Sequence, residues 1–157
     1  MASSFQVKKI LIVDDNQVVL TALSSVLTSR GYDVVTAIDG PEAFSVVSEE
    51  RLDLILLDIH FPPDASMSGN TWDAFHIMNW IRRAGGPHGR DIPVIVMSGA
   101  KPAEMEQRCL AAGAVAYFQK PVRIPRLFNT IQEILYPIVS ETPLELVGTA
   151  NYERPRL

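Results

Sequence analysis

The chain has 157 residues, is 47% hydrophobic and carries a net charge of −4, which fits one domain with a substantial core. Its basic residues, Arg82-Arg83 and Arg123/Arg126 among them, are too scattered to form the clustered surface that nucleic acid requires. No apolar run approaches the roughly 20 residues needed to span a membrane. The start, Met1-Ala2-Ser3-Ser4-Phe5, lacks the basic segment and apolar core of a signal peptide. A single cysteine, Cys109, rules out an internal disulfide and suits a reducing cytoplasm. Lying at helical spacing among Met105, Leu110 and Ala112, it reads as a small core residue.

Strand and helix alternate along the chain. The run Ile10-Leu11-Ile12-Val13 is a buried strand ending in Asp14 and Asp15. Val19, Ala22, Leu23, Val26 and Leu27 then repeat at helix spacing, and Gly31 stops that helix. Residues 32–37 form a second strand. Gly40-Pro41 opens the next helix, where proline's missing N–H costs nothing, and Ala43, Phe44 and Val47 are expected to face inward. The strand at 53–57 runs straight into Asp58. Trp72, Phe75, Met78 and Ile81 mark a third helix, broken by Gly85-Gly86-Pro87. A strand at 93–97 ends at the Ser98 hydroxyl, and a helix from 102 to 112 ends at Gly113. The strand at 115–118 leads to Lys120. Ile124, Leu127, Phe128, Ile131, Ile134 and Leu135 build the last amphipathic helix, which Pro137 ends.

Near-continuous, β-branched apolar strands alternating with helices imply an α/β fold. The expected architecture is a doubly wound, five-stranded parallel sheet covered by helices on both faces, a three-layer sandwich. In such sheets, sites form beyond the carboxyl ends of the strands. Asp14, Asp15, Asp58, Ser98 and Lys120 all fall at that edge. Three carboxylates gathered there repel one another, and a hard divalent cation such as Mg²⁺ relieves the conflict. A cation, an ammonium and a hydroxyl around a carboxylate make a cradle for a phosphoryl group, with the carboxylate itself as a possible nucleophile. Taken alone, an Asp-Asp pair after a strand is as often a helix N-cap.

Residues 7–136 resemble a receiver domain of two-component response regulators. The matching motifs are Ile10-Leu11-Ile12-Val13-Asp14-Asp15-Asn16, Leu56-Leu57-Asp58 with Pro62 and Gly69 beyond, Val96-Met97-Ser98-Gly99-Ala100, and Gly113-Ala114 followed by Tyr117-Phe118-Gln119-Lys120-Pro121. The resemblance implies the flavodoxin-like (βα)5 sheet order 2-1-3-4-5. It implies that Asp58 accepts a phosphoryl group from a sensor histidine kinase or a phosphotransfer protein. Mg²⁺ or Mn²⁺ would be held by Asp15, Asp14, Asp58 and the backbone carbonyl of His60. Lys120 and Ser98 would hold phosphoryl oxygens, Tyr117 would be the aromatic switch, and the bond before Pro121 would be cis. An unknown downstream protein would read the face made by 102–112, 117 and 124–135, where homodimerisation is also possible. Such a protein binds neither nucleic acid nor membrane directly, and is not an enzyme beyond its own phosphorylation and dephosphorylation.

Some features depart from the family. The loops at 59–69 and 82–91 look longer than usual. His60 and Ala100, at positions that tune the lifetime of the phosphoryl group, predict slow self-dephosphorylation. The segment 137–157 is too short for a helix-turn-helix output domain and reads as a tail or a linker. Three rivals compete with the phosphoacceptor reading. A degenerate receiver acting as a constitutive docking module is disfavoured by the intact acids, Ser98 and Lys120. A phosphatase of the haloacid-dehalogenase type needs Asp-x-Asp after its first strand, whereas this chain has Asp14-Asp15-Asn16. A flavodoxin needs a Ser/Thr/Gly-rich phosphate loop, which Asn16-Gln17-Val18-Val19 is not.

Overall fold

A computed structural model of the protein describes residues 6–59, 74–84, 91–99 and 102–138. Five strands, β1 (Lys9–Val13), β2 (Asp33–Ala37), β3 (Leu54–Asp58), β4 (Val94–Ser98) and β5 (Ala116–Gln119), form one parallel sheet in the order 2-1-3-4-5. Five helices separate and follow them: α1 (Gln17–Ser29), α2 (Gly40–Glu49), α3 (Ala74–Ala84), α4 (Pro102–Ala111) and α5 (Ile124–Leu135).

The three central strands carry apolar residues on both faces because helices cover both. On one side Ile10, Ile12, Leu54, Leu56, Ile95 and Met97 pack under Leu20, Leu23 and Leu27 of α1 and Leu127, Phe128 and Ile131 of α5. On the other, Leu11, Val13, Ile55, Leu57, Val94 and Val96 meet α2, α3 and α4. Alternation along each strand thus builds two cores. Cys109 of α4 is fully buried in the second of these, and burial pushes its thiol pKa up despite neighbouring Arg108. That matches an inert core thiol.

Local chemistry explains most element boundaries. The Asn16 side chain caps α1 by accepting the Val18 N–H at 2.9 Å. Asp39 caps α2 by accepting the Glu42 N–H at 2.8 Å. Gly113, after α4, has φ +106°, and a Cβ there would lie 3.0 Å from Arg82 Cδ. Gly113→Ala is expected to cost about 1–2 kcal/mol, from the left-handed backbone and the contact together; a shifted urea midpoint at unchanged slope checks it.

Phe44 is a correction. Ala43 and Val47 are buried, but Phe44 is 38% exposed. Its ring lies 4.4 Å from that of Trp80, centroid to centroid. It sits beside the buried stripe of α2 and reaches α3 from the rim. His76 is exposed as expected. Trp72, His88 and the greater part of the two long loops lie outside the described residues, as does the chain after residue 138.

Candidate phosphoryl-transfer site

Register decides which side chains meet. Val13 pairs with Leu57, Asp58 with Met97 and Ser98 with Gln119. The residues that follow β1, close β3, close β4 and follow β5 therefore share one edge of the sheet. Further hydrogen bonds fix that edge. The Asp14 N–H donates to the Ala37 carbonyl at 3.1 Å, the Ile59 N–H to the Met97 carbonyl at 3.1 Å, and the Lys120 N–H to the Ser98 carbonyl at 2.7 Å.

Carboxylate oxygens of Asp14, Asp15 and Asp58 lie within 4.8 Å of one another. Asp14 is fully buried, Asp58 is 4% exposed and Ser98 is fully buried, while Asp15 is exposed. Asp14 is held from two sides. One oxygen accepts the Asn16 N–H at 2.9 Å, and the other accepts from the Lys120 ammonium at 2.5 Å. The same ammonium lies 3.1 Å from Asp58. Burial alone would lower the pKa of Lys120. The hydrogen bond to Asp14 and the charges of Asp58 and Asp14 outweigh it and hold the pKa above the ordinary lysine value.

The opposite edge of the sheet offers a contrast. There Lys9 bridges Asp33 at 3.3 Å and Glu50 at 2.8 Å, and Lys8 lies 3.5 Å from Asp53. Those acids are partly solvated and served by two ammonium groups. At the carboxyl edge, among the described residues, three acids share one ammonium, and two of the three are buried. The excess negative charge there is a standing demand for a cation. An all-oxygen donor set suits a hard divalent ion such as Mg²⁺ or Mn²⁺, and not the nitrogen and sulfur ligands that zinc prefers.

The sequence matches the family described as response regulator receiver domain over residues 10–132. This chain belongs to that family. Among its relatives is the polar-differentiation response regulator DivK of Brucella anthropi, 30% identical over 128 residues that cover 82% of this chain and 96% of that one. A CheY-like receiver domain structure from Methanospirillum hungatei is 30% identical with a TM-score of 0.68, covering 83% of this chain and 94% of that one. The chemotaxis response regulator CheY4 of Vibrio cholerae is 27% identical with a TM-score of 0.69, covering 83% and 100%.

Within this receiver domain the structure brings Asp14, Asp15, Asp58, Ser98 and Lys120 to one edge. Tyr117 is half-buried on β5 and packs against the core shared by α2, α3 and α4. The Lys120–Pro121 peptide bond is cis. His60 and Ala100 lie outside the described residues. Asn16 is the residue whose role sequence reasoning missed. It supplies the cap of α1 through its own side chain, so neither aspartate is spent as the N-cap. The available signal was an asparagine directly before the apolar period of α1. No helix among the described residues is long and apolar enough to cross a membrane.

Proposed function

We propose that this receiver domain accepts a phosphoryl group on Asp58 from a phosphohistidine of a sensor kinase or phosphotransfer protein, with Mg²⁺ bound, and changes conformation to signal to a partner. The observation that carries the reading is the placement of Asp58. It is a buried carboxylate with the Lys120 ammonium at 3.1 Å and two further carboxylates within 4.8 Å.

In the transfer an Asp58 oxygen attacks phosphorus, the P–O bond forms as the donor's P–N bond breaks, and the donor imidazole, already protonated on its other ring nitrogen, takes the P–N electron pair and leaves as the neutral ring. The Lys120 ammonium, already beside Asp58, stabilises charge on the phosphoryl oxygens without having to reorganise. Asp14, Asp15 and Asp58 would hold Mg²⁺, which when bound would neutralise part of that charge. Ser98, at the end of the neighbouring strand, is placed to donate its hydroxyl to a phosphoryl oxygen. Tyr117 follows as the reporter on β5, and the partner reads the face of α4, β5 and α5. An apolar groove of about 530 Å³ lined by Val18, Ala22, Met97, Pro121, Val122 and Ile124 opens beside Lys120. With Val18 76% exposed, it offers the donor protein a seat next to the acceptor.

Incubation with Mg²⁺ and acetyl phosphate should add one phosphoryl group that survives acid, is cleaved by base and is absent from Asp58→Asn. An adduct that persists in that variant overturns the assignment. A constitutive docking module would give no adduct at all.

Cation binding has its own thermal signature. At a Mg²⁺ concentration about 100 times its Kd, folding should gain about 2.7 kcal/mol. That is roughly 5–10 °C in Tm for a domain of this size, and Asp15→Asn should lose most of it. Equal melting with Mg²⁺ and with EDTA would refute the metal site.

A further inference from the structure

Arg123 and Arg126 stand exposed at the start of α5. Neither makes an ion pair among the described residues, although the protein as a whole carries a net charge of −4. The first turn of α5 holds no acid. The two arginines border a polar cleft of about 430 Å³, whose remaining walls are Tyr117, Phe118, Gln119, Lys120 and Pro121. Phe118 is 6% exposed, and the Arg126 guanidinium lies 5.5 Å from its ring centroid. Stacking of that kind orients a guanidinium while leaving its in-plane donors available. Among the described residues β5 is also an edge strand, paired only with β4, so its outer backbone groups can receive another chain.

A cleft with two guanidinium groups that have no ion-pair partner among the described residues matches a carboxylate-bearing ligand, because Arg engages carboxylates through paired N–H donors. Nucleic acid is a poorer fit. Its affinity comes from many phosphate contacts along a basic surface, and here two arginines stand on an acidic protein. We propose that the β5–α5 cleft is the docking site for an acidic segment of the downstream protein, gripped by Arg123 and Arg126. The proposal rests on the reading of this face as the signalling surface. It adds the partner's chemistry and a route of coupling. Lys120 lines the cleft and also holds Asp14 and Asp58, so a rearrangement around Asp58 reaches the cleft through one residue.

The test uses the full chain and a dye-labelled peptide, Ser-Glu-Asp-Leu-Glu-Asp-Leu-Ser, followed by fluorescence anisotropy. A second peptide carries Lys in place of every acid. The acidic peptide should bind about tenfold or more tightly than the basic one, and weaken as salt is raised. Arg123→Glu should cost about tenfold. Arg126→Gln should weaken binding as well, with acetyl phosphate labelling of Asp58 unchanged in both as a check of the fold. Equal binding by wild type and Arg123→Glu overturns the proposal, as does absence of binding to wild type. Displacement of the peptide by a single-stranded oligonucleotide of the same charge also overturns it, since the cleft would then be a general polyanion site. Prior phosphorylation should tighten binding. Arginine-dependent binding that ignores phosphorylation would sustain acidic docking and remove this face from the signalling route, leaving the assignment of Asp58 to the adduct experiment.

Discussion

Asp58→Asn should melt at a higher temperature than the wild-type protein in EDTA, while accepting no phosphoryl group. The sign follows from Coulomb terms at the carboxyl edge. At an effective dielectric near 20, oxygens within 4.8 Å of one another repel by at least roughly 3.5 kcal/mol, so Asp14 and Asp15 together oppose Asp58 by at least roughly 7 kcal/mol. The attraction to Lys120 at 3.1 Å returns roughly 5 kcal/mol on the same scale. Asp15 is exposed, so its share is screened further by water and salt. Burial of an ionised carboxylate adds a desolvation cost on the unfavourable side. The balance leaves the Asp58→Asn variant more stable by about 1–2 kcal/mol, a few degrees in Tm. Thermal melts of both proteins in EDTA decide it, and a lower Tm for the variant would show that the lysine overcompensates the acids. A site that gains stability when one of its carboxylates is neutralised keeps that charge for something other than folding.

The fold was legible because each strand announces itself twice, by an apolar run and by the polar residue that ends it. Asp58 and Ser98 were read as terminators, yet both are members of the ladder, paired with Met97 and Gln119. Strands read at 53–57 and 93–97 therefore lie one residue further on. Asp53 explains one of these shifts. Its carboxylate accepts the Lys9 N–H at 2.9 Å and its own N–H donates to the Lys9 carbonyl at 2.8 Å, so it joins β1 without entering the strand. Phe44 was misplaced because periodicity fixes an angle around a helix, and a large ring near the edge of the stripe can pack against Trp80 without being buried.

What the sequence could not supply is how one ammonium divides its attention. Lys120 was expected to hold a phosphoryl oxygen on Asp58, and it lies 3.1 Å from that carboxylate, but its shorter contact is with Asp14, 106 positions away. Spacing along the chain carries no information about which of two acids at a sheet edge lies nearer. Register does, through the pairing of Val13 with Leu57 and of Ser98 with Gln119. The arginines of α5 taught the same lesson in reverse. In the sequence they are two scattered charges. Once β5 is an edge strand and α5 leaves from its end, they border a single cleft.

Lys120→Ala should produce the largest loss of stability among single changes at the site, about 3 kcal/mol. The variant takes the ammonium away from Asp14, fully buried, and from Asp58, nearly so. Removing one partner of a buried pair costs more than the pair contributes, because the remaining charge cannot regain water. The Lys120 side chain is 24% exposed, which puts the expected loss toward the lower end of the range for such deletions. The pH dependence follows from the raised pKa of Lys120. A cation whose folded pKa lies above its unfolded value contributes fully below the unfolded value and loses that contribution as pH rises through the folded one. On the alkaline side, the stability gap between wild type and Lys120→Ala should persist from neutrality up to the ordinary lysine value of 10.5 and close only above it. Mg²⁺ should recover more stability in the variant than in the wild type, since it would meet two buried carboxylates that have lost their ammonium. Urea titrations with Mg²⁺ and with EDTA measure both effects. A Lys120→Ala protein as stable as wild type in EDTA would mean that the buried acids were never held by this lysine, and the electrostatic account of the phosphoryl cradle would fall with it.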